Sequence, residues 1–288
     1  MAGAFANLEP GGRGSGLAGA LGPLVDDPTA IHWNPSRLVL VEQRAIAATY
    51  ADLFGLGLAR HTALFLAFPR QARDMGWADG RLRASPGRVN SAYGIGVQAT
   101  LVDFDPSSYA EYDLSLTHAR RGALGLVWGL TGHGLLVRSD LTDVSASGFS
   151  ADLAVGRSLG RGMEASLIAR SLFSTLAWDG GARENLHPTT QLGLLFRPHR
   201  GLAVPVAATY DLEASALNEA ALGVEWQAVG ETLLLRAGAR WRDDGVEADL
   251  RGAAGAGLRW NGLGFDYGLT MGPEDLGETH RLSLLLHM

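Results

Sequence analysis

From about residue 42 to its end the chain alternates apolar and polar residues, stretch after stretch, with no helical segment between. A period of two is the strand signal, because successive side chains of a strand point to opposite faces. "ETLLLRAGARWRD", residues 231–243, sets Leu233, Leu235, Ala237, Ala239 and Trp241 on one face. Its other face carries Leu234, Arg236, Gly238, Arg240 and Arg242. "SAYGIGVQATL", residues 91–101, divides Tyr93, Ile95 and Val97 from Gly94, Gly96 and Gln98 in the same way. About fourteen such segments of roughly ten residues can be counted. They begin near residues 43, 58, 91, 109, 122, 147, 162, 188, 202, 218, 231, 246, 263 and 279, with a longer connection at 69–90. Parallel strands need crossover helices, and none fits, so the sheet is expected to be antiparallel. The 39 glycines in 288 residues point the same way. Each would cost a helix interior about 1 kcal/mol relative to Ala, whereas in strands Gly suits close backbone approach.

Alternation does not say which face is wet. A soluble β-sandwich hides the apolar face, and a transmembrane barrel turns it to lipid around a polar lumen. Two features favour the barrel. The polar face carries isolated charges of both signs: Asp152, Glu164, Arg170, Asp211, Glu225, Arg236, Arg240 and Asp266. Aromatic residues recur near segment ends, among them Tyr93, Trp128, Tyr210, Trp226, Trp241 and Trp260, as interfacial girdles require. No apolar run reaches the roughly 20 residues of a membrane helix. Strands that span lipid must close, since an open edge would leave its polar backbone groups unpaired. The expected fold is therefore all-β, a transmembrane antiparallel up-and-down barrel of about 14 strands.

Net charge is −6, and all 24 basic residues are Arg, with no strong basic patch. A nucleic-acid partner is not expected. Cysteine is absent, which excludes disulfides and thiolate metal sites. No close His pair suggests a metal, so neither metal nor cofactor is expected. The chain lacks G-x-S-x-G. An outer-membrane lipase remains an alternative, drawing on His61, His118, His133, His187, His280 or His287, with Ser139-Asp140 near His133. The expectation is a non-enzyme with no catalytic residue.

Residues 1–41 read differently. They have no sustained period, with glycines breaking the first half and Pro23, Pro28 and Pro35 the second. Ala4-Phe5-Ala6 has the small-x-small form of a cleavage site, so a signal peptide is expected to be missing or removed. Asp27-Pro28 and Asn34-Pro35 are ordinary turn signals. Asp26, Asp27, Trp33, Asn34 and Pro35 are also candidates for ligand or plug contacts. Asp152, Arg170, Glu225, Arg236, Arg240 and Asp266 are expected to form a lattice of paired charges in the lumen, since buried charges need partners.

"GGRGSGLAGALGPLVDDPTAIHWNPSRL", residues 11–38, resembles the N-terminal segment of FadL-like outer-membrane barrels, especially the PorV/PorQ branch. Gly12, Arg13, Gly16, Gly19, Ala20, Asp26, Asp27, Ala30, Trp33, Asn34, Pro35 and Leu38 match the family pattern, while Ser36-Arg37 replaces its Ala-Gly. Segments 148–159, 222–226, 233–241 and 257–288 resemble later family strands in the same order, although the chain ends on Met288 where such barrels usually end on an aromatic. The resemblance implies a barrel of residues 42–288 in a bacterial outer membrane, with residues 1–41 as a plug or hatch in its lumen. It implies outer-membrane lipid as surroundings. It further implies either passage of a hydrophobic small molecule or docking of a secreted or envelope protein, as in type IX secretion. Asp26 and Asp27 are expected to meet lumen arginines such as Arg236 and Arg240, with Trp33 against the wall. The contrasting class is a soluble all-β binding protein.

Overall fold

The computed structural model describes residues 8–55, 57–78, 81–140, 144–243, 245, 248–272 and 277–288. Residues 4–6, with the cleavage-like pattern, lie outside them. The strands are β1 (Ala45–Leu53), β2 (Ala59–Ala78), β3 (Arg81–Phe104), β4 (Ser107–Arg121), β5 (Leu126–Ser139), β6 (Val144–Gly160), β7 (Met163–Arg170) and β8 (Thr175–Trp178). They continue as β9 (Arg183–Glu184), β10 (Thr189–His199), β11 (Leu202–Asp211), β12 (Ala216–Val229), β13 (Leu233–Asp243), β14 (Ala248–Trp260), β15 (Leu263–Thr270) and β16 (Thr279–His287). Each pairs antiparallel with its neighbour, and β1 pairs with β16 from Ala45↔His287 to Asp52↔His280. The pairing closes a 14-strand barrel, with β8 and β9 as a short added pair on β6.

The apolar face points outward. On β3, Tyr93 and Val97 are 46% and 45% exposed, whereas Gln98 between their neighbours is 7% exposed. Leu64, Leu116, Leu194, Leu222 and Leu284 are likewise exposed on other strands. Water would penalise such a surface at about 25 cal/mol per Å², and lipid does not. Aromatic residues mark both rims. Trp128, Trp226 and Trp260 lie near the end where β1 begins, and Tyr210, Trp241 and Tyr267 near the other. The connections at the first end are short, such as 161–162, 200–201 and 261–262, and those at the second are longer except at 105–106. Short turns belong to the periplasmic rim of such barrels and long loops to the outside.

Two departures from the expected strand plan matter. Of residues 69–90, expected as a connection, 69–78 and 81–90 are strand. β2 stops pairing with β1 at Ala67, and β3 meets β4 only from Ser91. Between those limits β2 and β3 pair with each other alone, as a ribbon beyond the short-turn rim. The second departure is a break in the wall. β7 ends at Arg170, Ser171 takes a positive φ of 53°, and pairing with β6 resumes at Phe149↔Thr175 in β8. β10 follows β7 only as far as Thr189↔Arg170.

Residues 9–41 pack against the buried face of the strands. They contain two short helices, α1 (Gly12–Gly16) and α2 (Ala30–Trp33), and a 3-10 helix at Pro35–Leu40. α1 packs on β13 to β16, and the 3-10 helix on β3 to β6. Leu17, Leu21, Val25, Ile31, Leu38 and Val39 are fully buried there against Ala47, Phe65, Ala92 and Leu195 of the wall. Wall glycines make room for this chain. A Cβ on Gly238 would sit 2.6 Å from the Leu17 carbonyl carbon, and one on Gly129 would collide with the Pro35 backbone.

Candidate functional site

The sequence-selected residues of the N-terminal stretch hold that stretch in shape. Asp27 Oδ1 accepts from the Thr29 amide at 2.8 Å and from its hydroxyl at 2.5 Å, which shapes the entry to α2. Asn34 donates to the Gly22 carbonyl at 3.1 Å, and its Oδ1 accepts from the Ser36 hydroxyl at 2.7 Å, starting the 3-10 helix with Pro35 in its first turn. Trp33 Nε1 donates to the Pro10 carbonyl at 3.2 Å, and the indole lies over Gly14. Trp33 thus pins α1 to α2 within the stretch.

The expected single lattice is three separate clusters. In the first, Arg13 forks onto Glu225 with two bonds of 2.9 Å and reaches Asp26 at 2.5 Å and Asp27 at 3.3 Å. Arg236 joins Glu225 and Asp266 at 2.7 Å each, and Arg259 closes on Asp266 at 2.8 Å. In the second, Arg240 binds Glu9, with Glu219 at 3.8 Å. In the third, Asp152 faces Arg170 at 3.5 Å and accepts from the Ser171 amide at 2.9 Å, beside the break in the wall. The expected pairing of Asp26 and Asp27 with Arg236 and Arg240 is corrected. Both acids meet Arg13, which their own stretch supplies from α1.

Arg37, at the departure from the family pattern, is a further anchor. Burial, its largest influence, pulls its guanidinium below the ordinary range against the opposing pull of Glu164. It donates to the Val25 carbonyl and to Glu164 at 2.6 Å each, and Glu164 also binds Arg197. Arg170 donates to the carbonyls of His32 and Trp33 at 2.7 and 3.0 Å. Each of these hydrogen bonds is charge-assisted by its guanidinium donor, the stronger class of hydrogen bond.

Between the N-terminal stretch and strands β2 to β7 lies a cavity of about 650 Å³ including its open mouth. His32 borders it from the stretch, and His61, Glu111, Asp113, His133 and Asp152 from the wall. Ser171 and Leu186, at the break in the wall, border it too. His133 Nδ1 lies 3.0 Å from Asp113, and its Nε2 3.4 Å from Asp152. The lipase alternative paired His133 with Ser139-Asp140, but its acid partners are Asp113 and Asp152, and Asp140 is bound by Ser108. Among the candidate ligand contacts, Asp27, Trp33, Asn34 and Pro35 stay out of this cavity, and Asp26 borders a second opening toward the short-turn rim with Arg37 and Glu164. Glu111 and Asp113 were not singled out from sequence, and His61 only for the lipase alternative. Their signal was present, since each occupies the polar phase of its strand and the register sets His61 by Thr100 and Gln98 by Asp113.

The fold is a closed antiparallel barrel, apolar outside, with residues 9–41 packed against its strands. Comparison with solved structures agrees on the fold. The CymD monoaromatic hydrocarbon channel superposes with a TM-score of 0.72 at 10% identity, covering 99% of both chains. A Pseudomonas aeruginosa FadL homologue gives 0.67 at 13% identity over 97% of this chain and 99% of its own. The Ralstonia pickettii toluene transporter TbuX gives 0.63 at 11% identity over 95% and 98%. No family model matches the sequence, and no curated protein matches it. These structural neighbours are channels and transporters, not enzymes, and none of the three is a secretion component by name.

Proposed function

We propose that the chain is an outer-membrane channel of the FadL type that passes hydrophobic small molecules, with residues 1–41 as a plug in a barrel of residues 42–288. The observation that carries this reading is the cavity between the N-terminal stretch and the wall, bordered at Ser171 and Leu186 by the break in the β7–β8 strand. A molecule held there has two ways on, past the plug toward the second opening or through the break into lipid. The apolar outer face and its two aromatic rims support a place in the bacterial outer membrane. Neighbours named as a hydrocarbon channel and a toluene transporter support the substrate class. Docking of a secreted protein, the role of the PorV branch, rests on the sequence resemblance alone.

The test is uptake. Cells with an intact lipopolysaccharide layer and no FadL-type channel of their own are given the chain, and entry of small radiolabelled aromatic compounds is followed. Faster entry than in cells making an unrelated barrel is expected. Equal rates for every compound would sink the proposal.

A further inference from the structure

The cavity is unusually polar for a hydrocarbon site. Three carboxylates, Glu111, Asp113 and Asp152, border it together with one arginine, Arg170. Asp113 and Asp152 are engaged with His133, and Asp152 also with Arg170. Glu111 accepts from the Tyr109 hydroxyl at 2.6 Å, and among the described residues no cation lies within 4 Å of it. Even with His133 counted as a cation between its two acids, three carboxylates face two positive groups.

A second, independent feature lies two strands away from Glu111 in the same row, across Thr100. His61 is 4% exposed, and its Nδ1 is shared with the Thr100 hydroxyl at 3.1 Å. His61 borders the cavity, and its buried Nε2 makes no hydrogen bond of good geometry, with the Gln98 side chain beside the ring. Leaving such a nitrogen unpaired costs about 1–3 kcal/mol. Leu8, Leu135 and Leu186 supply the apolar part of the lining. The site therefore joins an apolar side with one carboxylate that holds a single hydrogen bond and faces no cation among the described residues, and one unsatisfied imidazole nitrogen.

We infer that the cavity binds amphipathic molecules with a hydrogen-bond-donating head, an alcohol, phenol or amine on a hydrophobic body, in preference to bare hydrocarbons or carboxylates. This inference rests on the channel reading above and narrows it. A donor head adds a second hydrogen bond to Glu111; a hydroxyl can in addition pair with His61 Nε2 in whichever tautomer Thr100 selects, whereas a protonated amine, a donor only, pairs with it when Nε2 carries no proton. A hydrocarbon leaves the His61 nitrogen unpaired and Glu111 with the Tyr109 bond alone. A carboxylate head adds a fourth negative charge to the cavity, in a setting less polar than water.

The experiment uses four probes with one body: 2-phenylethanol, 2-phenylethylamine, ethylbenzene and phenylacetate. Binding to the full-length, detergent-solubilised protein is measured by calorimetry, and uptake is measured in the cells described above. The alcohol and the amine are expected to bind at least about tenfold more tightly than the other two, since a hydrogen bond to a charged group contributes more than the factor-of-ten increment. Glu111→Gln should erase most of the amine's advantage over ethylbenzene while the barrel keeps its heat-modifiable migration on gels. Ethylbenzene or phenylacetate binding as tightly as the alcohol and amine in the wild-type protein would overturn the inference and leave the channel reading intact. Failure of all four to enter cells faster than in the unrelated-barrel control would overturn the channel reading and the inference with it.

Discussion

Arg13→Met offers the sharpest test of how the N-terminal stretch is held. Arg13 is 8% exposed and stands among three carboxylates, Glu225, Asp26 and Asp27. Burial opposes its charge most strongly, yet the acids outweigh burial and hold the guanidinium well above its ordinary range. The cluster as a whole sets Arg13, Arg236 and Arg259 against Glu225, Asp266, Asp26 and Asp27. Met fills much of the same volume without the charge, and leaves two cations for four carboxylates. Breaking a buried pair from one side costs about 3–5 kcal/mol, chiefly through the charge left behind. Glu225 would keep Arg236 at 2.7 Å, and Asp26 is half exposed and can turn to water. The lower end, about 3 kcal/mol, is therefore expected.

That loss should appear in the stretch before it appears in the barrel, because the strand ladder does not use Arg13. Hydrogen exchange of the amides at 12–36 is the assay. At about 1.4 kcal/mol per factor of ten, release of the stretch should become roughly a hundredfold easier. The double variant Arg13→Met, Glu225→Gln should be less damaged than the sum of the two single changes, since each removes the charge the other strands. Unchanged exchange in Arg13→Met, with additive single effects, would refute the claim that this cluster anchors the stretch.

Burial, and next the Arg170 guanidinium, hold the His32 imidazole well below its ordinary range. The folded state therefore takes up a proton less readily than the unfolded chain, so stability present above about pH 6.5 should fall as pH drops below it; denaturant unfolding of His32→Gln should show a shallower loss between pH 7 and 5, and equal slopes would count against this. Gly238→Val should displace residues 17–18, at a cost of about 1–3 kcal/mol for overpacking, seen as faster amide exchange there with the barrel still heat-modifiable. Val97→Lys should cost about 2–4 kcal/mol by placing a charge on the lipid face near mid-strand, read as a smaller folded fraction on refolding into vesicles; normal assembly would mean that face is not lipid-exposed. Ser174→Ala removes both hydrogen bonds between Ser174 and the Leu186 backbone, and the Leu186 amide should exchange about tenfold faster.

The strand plan was legible because lipid on one side and polar contents on the other impose a two-residue period over the whole wall. Thirteen of the fourteen expected starts fall within about four residues of a strand start, a spread normal for boundaries read from one sequence. The exception, β3, begins at Arg81 and not near 91. Where β2 and β3 run past Ala67 and Ser91 they leave the wall. There the two strands pair with each other, the sequence loses its period, and Pro69, Pro86 and the charges around them read as a connection. The break at 171–174 was missed for a related reason. "SLFS" keeps strand-like residues through it, and the deviation is set by backbone held to Asp152 and Ala151 from the adjacent strand.

Charge pairing was legible only to the level of a face. The alternation sorts Glu225, Arg236, Arg240 and Asp266 inward, but partners depend on register and on what fills the barrel. Arg236 and Arg240 lie four residues apart on one strand, about 13 Å at the rise of a β-strand. One pair of adjacent carboxylates cannot bridge that span, so an expectation that Asp26 and Asp27 meet both arginines contained its own difficulty. The structure resolves it through a residue the pattern had matched but given no role. Arg13, in α1 against β13 to β15, reaches Glu225 on the wall and the two acids of its own stretch together. A chain that carries its own cation into an acidic lumen can neutralise its turn acids and dock with the same guanidinium, and Arg, with five donors in a fixed fork, suits that double duty better than Lys. Arg13→Lys should accordingly keep the charge but lose the bidentate grip on Glu225, and its amide exchange at 12–36 should fall between wild type and Arg13→Met. Exchange equal to wild type would show that charge alone, without the fork, holds the stretch.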